Sequence, residues 1–142
     1  MKTNNFTLIS SSAKVRYNRY MSDKTKGQIE SDISNAIIKF EREYMGRGPK
    51  EVKTFLIQDM VLIRLKGVLT PAETQLSKTS EGKMLTKQVR VRLLEDGKVL
   101  LEQIIQDITG ATVQSMHTDI STTTGERVVI FTVSEDVEKK FS

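Results

Sequence analysis

The sequence predicts a single α+β domain with a four-stranded, largely antiparallel sheet and helices on one face. Helical periodicities and strand-like alternations follow one another in the order α-β-β-α-α-β-β. Both pairs of strand-like segments are joined by short connections, which is typical of antiparallel hairpins. The chain has 142 residues, which fits one domain, and no internal repeat or linker divides it.

The first predicted helix covers residues 25–44. Thr25 and Gln28 have the spacing of a capping box, and apolar residues then recur every three or four positions. Gly46 and Pro49 predict the end of this helix, because glycine readily adopts the left-handed conformation and proline cannot continue the hydrogen bonding.

Two strands are predicted next, at residues 51–58 and 60–66. The first is rich in β-branched and aromatic residues, and the second alternates between two faces. Their short join predicts a hairpin. A short helix then begins at residues 70–73, Thr-Pro-Ala-Glu, because threonine caps the first turn, proline needs no donor there and glutamate reaches back to the cap.

The longest helical pattern runs over residues 83–109. Its predicted core stripe consists of Leu85, Val89, Leu93, Leu101, Ile104, Ile105 and Ile108. The stripe is continuous if one helix passes Asp96 and Gly97 with a kink. A full break there into two helices is the alternative, and both interpretations remain open.

The chain closes with a second predicted hairpin, at residues 111–120 and 127–133 around a loop at 121–126. Residues 135–142 are expected to form a charged C-terminal tail, so the domain is assigned to residues 23–134.

Residues 1–22 are rich in Ser, Asn and Thr and are predicted to be a flexible tail. Because Met21 also begins a plausible native start, residues 1–20 are either an upstream extension or a genuine N-terminal segment. The net charge is +4, and residues 1–24 contain five basic and one acidic residue, so they hold the whole excess. The remaining chain is balanced, which disfavours nucleic acid as a partner.

The composition and motifs exclude several kinds of chemistry. There is no cysteine, which excludes disulfides and thiolate metal sites and fits a reducing cytoplasm. No apolar run approaches the roughly 20 residues that a membrane-spanning helix needs. No dinucleotide fingerprint, Walker loop, zinc-protease motif or nucleophile elbow occurs. We therefore expect no enzymatic activity, no cofactor and no bound metal.

Three groups of polar residues are candidates for function, each with a simpler structural interpretation. His117 and Asp119 share a strand face and have the chemistry of a general base or of metal ligands, but zinc would need a further protein ligand. The run Thr122, Thr123 and Thr124 has oxygens for a cation or an oxyanion, although a solvated hairpin tip is favoured. Glu126 and Arg127 have the charges to pair across the strands.

Basic residues form two further groups. The first group lies in residues 46–50, Gly-Arg-Gly-Pro-Lys, which follow a predicted helix. A helix stop is therefore favoured over a phosphate loop, and Arg47 and Lys50 remain available to an acidic partner. Lys83, Lys87 and Arg90 form a basic stripe on the long helix, which fits an acidic partner, a lipid surface or simply a solvated face.

Several of these segments together resemble the MpsC-type family, formerly a bacterial domain of unknown function. The matching segments are residues 33–38, 46–50, 59–73 and 117–131. The family is named after a component of a Na+-translocating, membrane-potential-generating system. The resemblance implies a cytosolic accessory protein associated with systems that move Na+ or dissolved inorganic carbon across the membrane, and it supplies no catalytic motif.

The leading hypothesis is a non-catalytic binding module that docks on a membrane transporter complex. Its expected partner surface consists of Arg47, Lys50, Arg64, Lys66, His117, Asp119, Thr122, Thr123, Thr124, Glu126 and Arg127. The alternative is a KH-like nucleic-acid-binding module, because the order of elements is that of a type II KH domain, although the Gly-x-x-Gly clamp is missing. An enzyme built on His117 and Asp119 ranks last. The exposed edges of a small sheet make a homodimer plausible.

Overall fold

The computed structural model describes residues 23–142, so the predicted tail at residues 1–22 and the alternative start at Met21 lie outside the described residues. The fold is α+β. Its elements are α1 (Lys26–Tyr44), β1 (Glu51–Ile57), β2 (Met60–Lys66), α2 (Pro71–Leu76), α3 (Ser80–Asp96), α4 (Lys98–Thr109), β3 (Val113–Ile120), β4 (Arg127–Val133) and α5 (Val137–Phe141). Both predicted capping boxes form, at the starts of α1 and α2.

The four strands form one antiparallel sheet in the order β1-β2-β4-β3. Each predicted hairpin is present, and the two hairpins join because β2 pairs with β4. The β1–β2 turn is tight enough to hold Gln58 at a φ of 54°, in the left-handed region that non-glycine residues seldom adopt. This arrangement confirms the predicted α+β sheet.

One face of the sheet carries the hydrophobic core. The inward side chains of the two central strands are Val61, Ile63, Leu65, Val129, Phe131 and Val133, and all are buried. Helices α1 and α4 cover them with buried isoleucine, leucine and phenylalanine side chains. On the opposite face Phe55 and Ile57 remain 41% and 39% exposed. The described helices therefore pack on one face, as predicted.

The long helical pattern is broken at Gly97 into α3 and α4, so the alternative with two helices is correct. The amide of Gly97 donates to the Leu93 carbonyl at 3.1 Å, and the Gly97 carbonyl accepts from the Leu101 amide at 3.0 Å. A Cβ atom added at Gly97 would lie 2.7 Å from Cζ of Phe40. Glycine is required because this corner packs directly on an aromatic ring of α1.

The predicted core stripe is wrong for α3. Leu101 and Ile105 of α4 are buried, but Leu85 and Val89 are about half exposed. The buried positions of α3 are instead Gly82, Thr86, Arg90 and Leu94. The helix faces the domain with this partly polar side because Thr86 and Arg90 find hydrogen-bonding partners there.

The predicted C-terminal tail is also corrected. Within residues 135–142, Val137 and Phe141 are buried and lie one helical turn apart on α5. Asp136 caps this helix through the Lys139 amide at 2.9 Å. Five charged residues in this segment obscure its two apolar positions, which the core nevertheless recruits.

Replacing Gly97 with alanine is expected to lower the free energy of unfolding by about 1–3 kcal/mol, because the new Cβ would overlap Phe40. The matched control is Gly27→Ala in α1, where an added Cβ meets no atom within 4 Å. That change should stabilise the protein by about 0.5–1 kcal/mol through higher helix propensity. Urea denaturation followed by circular dichroism measures both, and a stabilising Gly97→Ala would contradict the close packing.

Candidate functional site

Three loops that carry the sequence signature meet at one end of the sheet and line a cleft of about 520 Å³. They are residues 45–50 before β1, residues 67–70 after β2 and residues 121–126 between β3 and β4. Residues of α2 and the segment after it close one side. We call this the three-loop cleft.

The three-loop cleft is cationic and rich in hydroxyl groups. Its polar side chains are Arg47, Lys50, Lys78, Thr74, Thr122, Thr123, Thr124 and Gln75. No aspartate or glutamate of the described chain lines it. None of the ion pairs within residues 23–142 involves Arg47, Lys50 or Lys78, so these three cations have no carboxylate partner there. The cleft therefore has the chemistry to accept negative charge.

The first loop is held against the second by both of its basic residues. Nη1 of Arg47 donates to the Leu69 carbonyl at 3.0 Å, and the Lys50 amide donates to the Lys66 carbonyl at 2.9 Å. The alkyl chain of Lys50 lies over Gly67, where an added Cβ would come within 2.6 Å of Lys50 Cγ. Gly67 also has a φ of 66°, so both packing and backbone conformation require glycine there.

The second loop is fixed from two more directions through Val68, which is buried. Its amide donates to the Gly125 carbonyl at 3.1 Å, which connects it to the third loop. Its carbonyl accepts from Nη2 of Arg90 at 2.7 Å, which connects it to α3. These contacts hold the three loops at fixed positions around the cleft.

Arg90 also forms a bidentate ion pair with Glu73 of α2. Nε of Arg90 lies 2.9 Å from Oε2 of Glu73, and Nη2 lies 2.5 Å from Oε1. The same carboxylate accepts from the Thr70 amide at 2.8 Å. Burial opposes ionisation of Glu73, but the hydrogen bonds from Arg90 and Thr70 outweigh it and lower its pKa. One ion pair therefore joins α2, α3 and the loop between β2 and α2.

A second pair of buried charges, Glu41 and Arg127, lies close enough to Arg90 to interact with it electrostatically. Burial raises the pKa of Glu41, although the positive charges of Arg127 and Arg90 act to lower it. Burial lowers the pKa of Arg127. Nε of Arg127 and Nη1 of Arg90 have no hydrogen-bond partner within the described part of the chain. This cluster is costly to desolvate, so its components must offset one another.

The structure brings together only part of the predicted partner surface. Arg47, Lys50, Thr122, Thr123 and Thr124 line the three-loop cleft. Arg64 and Lys66 point from β2 to the outer face of the sheet, and Arg64 pairs with Glu126.

His117 and Asp119 lie on β3 outside the cleft, and each has a different partner. Oγ of Ser115 lies 3.2 Å from Nε2 of His117, whereas Asp119 accepts from the Ile120 amide at 2.8 Å and pairs with Lys87 at 3.4 Å. Those two contacts lower the pKa of Asp119. Among residues 23–142 no group of three potential ligands is arranged for a metal.

The burial of Arg127 and Arg90 contradicts the roles predicted for these two residues. Arg127 is only 2% exposed, so it does not pair with Glu126 and is not presented to a partner. It points into the core because successive strand residues face opposite sides of the sheet. Arg90, predicted as part of a basic stripe, is also 2% exposed, while Lys83 and Lys87 remain exposed. Lys78, Thr74 and Gln75 also line the cleft, and no local sequence motif distinguishes them as site residues.

Arg90→Met is expected to lower the free energy of unfolding by about 3 kcal/mol, because it leaves the buried end of Glu73 without its cation and the Val68 carbonyl without its side-chain donor. The matched control Arg92→Met changes an exposed residue of the same helix and should cost less than about 0.5 kcal/mol. Urea denaturation measures both. Equal losses in the two variants would contradict a structural role for the Arg90 ion pair.

Glu41→Gln is expected to change how stability depends on pH. Because burial raises the folded-state pKa of Glu41, its contribution to stability is present below the ordinary value of 4.5 and is lost as pH rises through the folded value. The variant lacks this loss. Its free energy of unfolding relative to the original chain should therefore increase with pH and then level off. Urea titrations between about pH 4 and pH 8 test this, and a constant difference would show that Glu41 titrates normally.

Comparisons with known proteins indicate the family of this chain. Residues 25–135 match the family model for MpsC, Na+-translocating membrane potential-generating system. The uncharacterized protein YbcI of Bacillus subtilis (strain 168) is 48% identical over 116 residues, covering 82% of this chain and 94% of YbcI. The uncharacterized protein YrhF of the same organism is 23% identical over 111 residues, covering 77% and 90%. No solved structure matches the chain significantly. Since the matched region spans most of the chain and includes all three loops of the cleft, this chain belongs to the MpsC family.

Proposed function

We propose that this chain is a non-catalytic accessory protein that docks through the three-loop cleft on a membrane-bound component of a Na+-translocating system. The observation that carries the proposal is the convergence, in one cleft, of threonine hydroxyl groups with three cations that have no carboxylate partner within residues 23–142. The description of the MpsC family, to which the chain belongs, supports a membrane system as the setting.

The cleft is suited to an acidic segment of a partner protein. Lys50 and Lys78 are exposed and free of carboxylate partners within the described residues, so pairing with a partner's aspartate or glutamate costs no internal ion pair. Arg47 is oriented by the Leu69 carbonyl and contributes a fixed positive charge. The threonine hydroxyls can donate to carboxylate or carbonyl oxygens of an inserted segment. The volume of about 520 Å³ accommodates a few side chains.

The proposed role requires no bond-making residue in this chain. Transport of Na+ or of dissolved inorganic carbon would be performed by the membrane partner, and this chain would bind it from the cytoplasmic side. Among residues 23–142 no helix has the length and hydropathy to cross a bilayer. His117 and Asp119, the residues with the chemistry of a general base, interact with different neighbours, which supports a structural rather than a catalytic role.

The test is co-purification of the tagged chain with membrane proteins from its own cell. The double variant Lys50→Glu/Lys78→Glu should reduce the recovered partner by about tenfold or more, because it replaces two attractive charges with repulsive ones. The matched control Lys53→Glu/Lys66→Glu makes the same change of charge on exposed lysines of the sheet strands, outside the cleft. If the control releases the partner and the cleft variant does not, docking takes place on the sheet instead.

A further inference from the structure

The sheet has two edges, and the described helices shield them unequally. Along β1, the Leu56 amide donates to Oε2 of Glu30 at 2.8 Å, and Oγ of Ser34 lies 2.8 Å from Oγ1 of Thr54. Both partner residues belong to α1, which therefore shields this edge. The opposite edge is β3, which among the described strands pairs with β4 alone. An edge strand with free backbone groups is a template for pairing with another strand.

The backbone groups of β3 that face this edge follow from its ladder with β4. Successive residues of an antiparallel strand direct their amide and carbonyl groups to alternate sides. The Ser121 amide donates to the Glu126 carbonyl at 2.8 Å, which sets the alternation. Ile120, Thr118 and Met116 therefore direct their backbone groups away from β4 and toward the edge.

Only the middle of this edge is open. At one end the Ile120 amide donates to Oδ1 of Asp119 at 2.8 Å. At the other end β3 is irregular, and the Val113 amide donates to a side chain of α4 at 3.2 Å. Between these ends, the backbone groups of Met116 and Thr118 have no hydrogen-bond partner within residues 23–142. The amides and carbonyls of these two residues are the open segment of the edge.

The open segment is self-complementary about His117. When two antiparallel copies of β3 are related by a two-fold axis at His117, Met116 of one copy lies opposite Thr118 of the other. Each such pair exchanges two hydrogen bonds, so the two pairs use every open amide and carbonyl of both copies. Other two-fold registers need the Ile120 amide, which Asp119 already occupies, or the irregular part of β3.

The side chains of β3 are compatible with this register. Asp119 is the only formally charged residue of the strand, and it lies opposite Ser115 of the other copy, so a carboxylate meets a hydroxyl donor. His117 faces its own equivalent, and a neutral imidazole can both donate and accept a hydrogen bond. The register therefore brings no two like charges of this strand face to face.

A second copy is favoured over a disordered peptide because the open segment is short. A peptide loses backbone entropy for each residue that it orders, and this edge offers hydrogen bonds to only two residues. The β3 strand of a second copy is already ordered by β4, so its pairing costs little further backbone entropy. Because α1 shields the β1 edge, the assembly closes at two copies.

We propose that the open edge of β3 pairs with β3 of a second copy of this chain, in an antiparallel dimer whose two-fold axis passes at His117. The dimer joins two four-stranded sheets into one continuous sheet. The inference is independent of the docking proposed for the three-loop cleft, because neither Met116 nor Thr118 lines that cleft.

Single cysteines test the register, since the chain contains no other cysteine. His117→Cys changes an exposed residue and places two thiols in directly opposed positions, with Cα atoms about 4.5 Å apart, which is within the range for a disulfide. Mild oxidation of the full chain should link most of this variant into a covalent dimer. The matched control is the isosteric Ser115→Cys, whose two copies would lie about 13 Å apart and should not be linked. Linkage of Ser115→Cys without linkage of His117→Cys would overturn the proposed pairing.

Sedimentation equilibrium of the full chain tests the dimer without a cross-link. The original chain should show a reversible dimer, and His117→Lys should weaken it about threefold to fivefold, because two positive charges would face each other across the axis. The control Ile57→Lys places the same charge on β1, at a residue that is 39% exposed, and should leave the dimer intact. A monomeric original chain whose His117→Cys variant is not linked would overturn the proposal and assign the edge to an extended segment of a different protein.

Discussion

The bidentate pair between Arg90 and Glu73 is the interaction on which the three-loop cleft depends. Arg90 reaches from α3 to the carboxylate that caps α2 and to the Val68 carbonyl of the preceding loop. It therefore connects elements that share little apolar contact with one another. The position of α2, and with it one wall of the three-loop cleft, follows from this contact.

The same pair determines which side of α3 faces solvent. A long arginine side chain can be buried only where a carboxylate and a carbonyl satisfy its donors, so α3 is rotated until Arg90 reaches them. The neighbouring inward positions are then Gly82, Thr86 and Leu94, and the aliphatic residues are left outside. The exposure of Met84, Leu85, Val89 and Val91 is thus a consequence of the polar anchor.

The buried cluster has an electrostatic cost that the fold retains. Two guanidinium groups and the Glu41 and Glu73 carboxylates lie near each other, and two guanidinium N–H groups lack partners within residues 23–142. Removing one charge from such a cluster destabilises the fold strongly, because the remaining charge stays buried without a partner. Forming the whole cluster stabilises the fold much less, because every charged group loses its hydration. The cluster therefore connects α1, α3 and β4 through electrostatic interactions.

Local pattern in the sequence determined most elements of this protein, because capping boxes, glycine stops and alternating strands depend on neighbouring residues. The short helix α5 is the exception, since its sequence predicted a charged tail. Local pattern also predicted Arg47, Lys50 and the threonine run as site residues, and the structure places all of them in one cleft. Only the tertiary structure decided which side of α3 is buried, because the helix periodicity of Leu85 and Val89 is the same whether they face the core or the solvent. The partners of Arg90 and Arg127 lie on other elements, and Lys78 joins the cleft through the path of the chain after α2. Long-range pairing of charges leaves no periodic trace in a sequence, and for that reason the ion pair, the cleft and the burial of Arg90 and Arg127 were visible only in three dimensions.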